Sequence, residues 1–137
     1  MTVRPGYPQE VIKAATATGG ASGVSIALLN QFAVLVGAVI TYVASASVGN
    51  RLVAVRLLDP SGNIMMTTFA TTAITASQTS TLLLMTGQTY LSISSPIVQI
   101  LPWPVEMPAL ANSSMQILDT ANISATDTVA ANISFAS

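Results

Sequence analysis

The chain has 137 residues, enough for one ordinary domain with a single core, and too few for two domains of usual size. Charged residues make up 7% of it and hydrophobic ones 51%, where a typical soluble domain carries about 25% charge. A net charge of −1 with four scattered basic residues argues against a nucleic-acid partner, and the absence of cysteine excludes disulfides and thiolate metal sites.

Residues 1–22 stand apart from the rest of the chain. Pro5, Pro8 and the charges Arg4, Glu10 and Lys13 lead into a Gly/Ser-rich exit, which is the composition of an extended arm joined by a linker to a domain over 23–137. Tyr7, Val11 and Ile12 give such an arm something to bury on a neighbouring subunit. The start shows no apolar core of a secretory signal, so no targeting peptide is expected.

The stretch NQFAVLVGAVITYVASASVGNR, residues 30–51, reads as either a membrane helix or a strand. Every second residue from Phe32 to Val48 is apolar, while Thr41, Ser45 and Ser47 fall on the other face. That is the period of a half-buried strand, with Tyr42 in the core. A membrane helix needs about 20 consecutive apolar residues, and Asn30, Gln31, Ser45 and Ser47 interrupt this run.

Val53, Val55 and Leu57 continue the alternation. Asp59-Pro60-Ser61-Gly62-Asn63 is turn chemistry, and the β-rich run 64–69 after it completes a hairpin. Further short strands are expected over 79–85, 89–94 and 114–119. Between them Pro96, Pro102, Pro104 and Pro108 forbid a central strand, so the passage is read as an edge segment or a crossing loop. Val129, Ala131, Ile133 and Phe135 alternate with Thr128, Ala130, Asn132 and Ser134 in a closing strand with one wet face. Many short strands with turns between them indicate an all-β fold, a single antiparallel β-sandwich.

Catalysis has little to stand on. The chain lacks His and Cys, and its carboxylates are Glu10, Asp59, Glu106, Asp119 and Asp127. Asp119 and Asp127 flank a loop and are best read as caps of backbone amides, although two carboxylates brought close would also suit calcium or glycoside chemistry. No catalytic residue, metal ligand or cofactor is expected. Carbohydrate binding would use an exposed aromatic, for which Trp103, Tyr90 and Tyr42 are the candidates. Trp103, held between two prolines, suits a sugar platform, an interface anchor or a buried plug. Three Asn-x-Ser patterns, at Asn112, Asn122 and Asn132, are read as chance in a chain so rich in serine.

The blocks VASASVGNRLVAVRLLDPSGN and LDTANISATDTVAANISF, with the Pro-rich passage between them, resemble small structural proteins of tailed bacteriophages. The resemblance covers most of residues 25–137. Its carriers are a GNR junction after a strand, a D-x-x-G-N hairpin and an Asp-Thr before the last strand, features that specify fold better than role. It implies a jelly-roll-like sandwich and a non-enzymatic place in a virion. The expected role is a capsid decoration (cement) protein on the outer capsid surface, bound to the major capsid protein or other virion proteins. A neck or tail component is the alternative and a carbohydrate-binding module the third reading. Few charges favour self-association, and a homotrimer suits the threefold positions of an icosahedral shell. Neither nucleic acid nor membrane is an expected partner.

Overall fold

Alternating sequence becomes strand in almost every place where it is sustained. The computed structural model describes residues 10–18, 24–27, 33–86, 98–103 and 107–136, and it is all-β, without helix, among them. Its strands are β1 (Glu10–Thr18), β2 (Val24–Ala27), β3 (Ala33–Val43), β4 (Val53–Leu58), β5 (Ile64–Phe69), β6 (Thr79–Thr86), β7 (Val98–Trp103), β8 (Met107–Ala109), β9 (Ser114–Asp119) and β10 (Thr128–Ala136). They form two sheets. The larger has the order β1-β10-β3-β6-β7, with β8 beside the start of β3, and the smaller has the order β2-β9-β4-β5.

The pairing rule is simple once β7 and β8 are set aside. β1 pairs with β10, β2 with β9, β3 with β6 and β4 with β5, all antiparallel. First strand meets last and second meets next-to-last, down to the tight β4–β5 hairpin. This is one long ribbon folded across two sheets, the winding of a jelly roll. The insertion departs from it, since β7 runs parallel to β6.

The core lies between the two sheets and is filled by alternate residues of each strand. Ala131, Ile40 and Leu82 lie in one cross-strand row of the larger sheet, and Ile133, Ala38, Leu84 and Leu101 in the next; all are buried. Val55 with Ile117 and Leu57 with Met115 answer them from the smaller sheet. Near the end of β10 the register with β3 slips, Ser134 facing Gly37 and Phe135 facing Leu35. A Cβ on Gly37 would sit 2.8 Å from the Leu84 carbonyl oxygen, so the close approach of β3 and β6 there requires glycine.

The hairpin at 59–63 forms as its residues dictate. Asp59 Oδ1 accepts the amides of Ser61 (2.9 Å) and Asn63 (2.7 Å), and Gly62 takes a positive φ of 86°. Two expectations need correction. Glu10–Thr18, within the stretch expected as an arm, is a strand of the larger sheet, with Val11 opposite Phe135 and Ile12 opposite Ser134. A composition-based reading misses it because a strand of Ala, Thr and single apolar residues carries little hydrophobic signal. Tyr7 lies outside the described residues. The alternation predicted to Val48 ends at Val43, and Val48 is 93% exposed. From Ala44 onward the backbone leaves the ladder, Ala44 N donating to Gln78 O at 2.9 Å, and the chain crosses to the other sheet.

The Pro-rich passage supplies β7 at the edge of the larger sheet, with Pro102 opposite Met85, as proline permits only at an edge. The run expected at 89–94 lies outside the described residues. The membrane alternative for 30–51 gives way to strand β3, and among the described residues no helix is long and apolar enough to cross a membrane.

Candidate functional site

A core this apolar makes any buried charge conspicuous. Arg51 and Asp127 are both fully buried, 0% exposed, and form an ion pair with Nε to Oδ2 at 3.1 Å. Such a pair survives burial only when its remaining donors and acceptors are also used. Asp127 Oδ2 accepts the Tyr42 hydroxyl at 2.6 Å, while Oδ1 accepts the Ser45 amide at 2.7 Å and Arg51 Nη2 at 3.3 Å. Arg51 Nη1 donates to Gly49 O at 2.7 Å, and Nη2 also reaches Ser45 O and Oγ, both at 3.2 Å.

The chain path explains the position. Residues 44–52 cross from β3 to β4, residues 70–78 from β5 to β6, and residues 120–127 from β9 to β10, so three crossings share one end of the sandwich. Arg51 joins the second through paired backbone bonds with Ile74 (2.8 and 3.0 Å) and the third through Asp127. Asp119 holds the same end, accepting the amides of Leu52 (2.8 Å), Ala121 (3.0 Å) and Ile123 (2.9 Å). Gln99 of β7 closes the side, its side-chain amide bonding both the backbone N and the backbone O of Thr72.

The electrostatics follow from this saturation. Burial alone would raise the Asp127 carboxyl, but the donors from Arg51, the Ser45 amide and Tyr42 outweigh it and hold the group at about 2. Burial, and then the bond to Asp127, push the Tyr42 phenol above its ordinary range, so it donates as a neutral hydroxyl. A carboxyl lowered from 3.8 stabilises the fold above pH about 4, and that stability is lost as pH falls toward about 2. The loss expected from Asp127 is about 2 kcal/mol. Asp59, whose carboxyl is lowered chiefly by the Asn63 side chain, acts in the same direction. Thermal melts between pH 6 and pH 2 check this: the midpoint should drop steeply below pH 4, and a flat profile would contradict the assignment.

Chemically the cluster is a clasp, with every carboxylate oxygen of Asp127 engaged. Asp119 and Asp127, read from sequence as amide caps or a candidate pair, serve separate partners. Among the described residues no three His, Cys, Asp or Glu gather as a metal site. Tyr42 is in the core as expected. Trp103 ends β7 opposite Thr86, and Tyr90 lies outside the described residues. Asn112 and Asn122 sit in left-handed turns, with φ of 64° and 60°, a conformation asparagine tolerates better than most residues. The Arg51–Asp127 pair itself was not anticipated. Its signal was an arginine within an apolar run in a chain with four basic residues, and the GNR and Asp-Thr motifs that carried the resemblance supply its two partners.

The outer faces carry the rest of the apolar inventory. On the larger sheet Val39, Leu83 and Ile100 lie in one row, Thr41, Thr81 and Val98 in the next, and Met85 beside them; Val39 is 44% exposed and Met85 40%. On the smaller sheet Phe69 (58%), Ile64 (55%) and Met65 (48%) stand out along β5.

No protein-family model matches the chain, and no curated protein does. Among solved structures it is similar to a chain from Bacillus endospore appendages, described as disulfide-linked pili, at 10% identity over 99% of this chain and 96% of that one, with a TM-score of 0.36. It is also similar to infectious bursal disease virus, Gx strain, at 9% identity and a TM-score of 0.41, and to the VP2 subviral particle of that virus at 10% and 0.33. The match covers 99% of this chain and spans 36% of each viral chain.

Proposed function

We propose that the protein is a non-enzymatic structural component of a virion, a capsid decoration (cement) protein that binds and stabilises a shell of major capsid protein from outside, as a homotrimer. The observation that carries this reading is the surface: exposed Val39, Val43, Met85 and Val98 on the larger sheet, where β3, β6 and β7 contain no charged residue. Contiguous apolar surface on a well-packed domain marks contact with other protein. Rotation axes in an assembly also bring like charges together, which a neutral face avoids. The clasp fits the same work, because it stiffens one end of the sandwich.

Particles made without the protein should lose infectivity at lower temperature and under milder osmotic shock, and purified protein should restore resistance and label the shell. Unchanged resistance would count against a cement role. Labelling confined to the neck or tail would favour that alternative location. Sedimentation of the isolated protein checks the trimer. A truncation aimed at the N-terminal segment should remove residues 1–9 only, since deleting 1–22 also removes β1.

A further inference from the structure

We infer that the outer face of the smaller sheet docks an acidic, apolar segment of another protein chain, with Arg56 as its anchor. The inference takes from the proposed function only that the protein works by contact, and it adds the chemistry of one partner. Arg56 lies on β4 between Gln116 of β9 and Thr67 of β5, half-buried on the outer face. Its Nε is shielded from water and has no hydrogen-bond partner, and among the described residues the guanidinium makes no ion pair. Around it stand Leu58, half-buried, and Ile64, Met65 and Phe69, all exposed. A half-buried guanidinium with one shielded, unpartnered donor, set within an apolar patch, is complementary to one carboxylate carried among apolar side chains, which the planar fork grips at two points.

The remaining chemistry narrows the occupant. A polyanion such as nucleic acid needs clustered cations, and this face presents a single one. The carboxylates whose side chains the structure describes, Asp59, Asp119 and Asp127, give a second copy little acid to offer. Asp119 and Asp127 are buried and satisfied, and Asp59 is engaged by Ser61 and Asn63 of its own turn. Simple strand addition to the free edge of β5 is disfavoured by the register shift between Leu57 and Leu58, because an irregular edge makes a poor template. Docking on the face remains.

Selection of a random peptide display library on the immobilised full-length protein tests this without any assumption about shells. Enriched peptides should carry Asp or Glu flanked by apolar residues. Arg56→Gln should weaken their binding by about tenfold or more while the melting temperature stays unchanged. Arg56→Glu should instead enrich Lys or Arg, and Arg56→Lys, which keeps the charge without the fork, should bind at an intermediate level if the glutamine variant folds poorly. Absence of enrichment, enriched peptides without an acid, or undiminished binding by Arg56→Gln would overturn the inference. So would self-association of the unselected protein that Arg56→Gln abolishes, since the occupant would then be a second copy. Particle stability is untouched by any of these outcomes, so the two readings fail separately.

Discussion

Asp127→Ala should lower the unfolding free energy by about 3–5 kcal/mol, the largest effect expected from any single polar substitution in this chain. The change removes the acceptor for Arg51, Tyr42 and the Ser45 amide together and leaves a fully buried guanidinium without a counter-charge. Desolvation of that cation is not compensated elsewhere, since Gly49 O and Ser45 O are neutral. Exchanging both partners for apolar residues of similar size, Arg51→Met with Asp127→Leu, should recover only part of the loss. The charge problem disappears, but the Tyr42 hydroxyl and the Ser45 amide stay unpaired. Urea unfolding of the single and double variants measures this. If the single variant lost less than about 1 kcal/mol, the pair would be accessible to water and the clasp misassigned.

Leu82→Ala should cost about 2–5 kcal/mol, because Leu82 is fully buried in the middle of the larger sheet, between Ile40 on one side and Gln99 on the other. Its own strand is hydrogen-bonded on both edges, to β3 and to β7, and has little freedom to collapse into the space. Met85, three residues on, points the opposite way and is 40% exposed, so Met85→Ala should change stability by no more than about 0.5 kcal/mol. Chemical denaturation of both variants, with the slope unchanged, checks the alternation directly. Equal effects at the two positions would mean that the assigned register of β6 is wrong.

What the sequence reveals depends on whether the information is local. The strands at 53–58, 64–69, 79–86, 114–119 and 128–136 announce themselves by alternation and by turn residues within a few positions, and the structure places them there. The hairpin at Asp59 is local in the same sense. The point where β3 stops is not, because Ala44 to Val48 keep the pattern while the backbone answers to Gln78 and Asp127 instead of a neighbouring strand. β1 is hidden for the opposite reason, since its identity as a strand rests on β10, far away in the chain. The Arg51–Asp127 pair combines both difficulties. Asp127 looks like a loop charge in its own surroundings and Arg51 like a lone charge beside an apolar run, and only the meeting of two crossings makes them a buried couple.

The pairing of first strand with last also bears on how the protein is made. β10 lies between β1 and β3, so the larger sheet stays divided until Thr128–Ala136 has been synthesised. β1 waits for a partner at the far end of the chain, and Arg51 waits as long for Asp127. The β4–β5 hairpin can form early, and β9 and then β10 must be captured against an open apolar face. Folding dominated by such distant pairings belongs to the millisecond-to-second range, and exposed strand edges during that interval invite aggregation. The scarcity of charge gives the nascent chain little electrostatic protection during that interval.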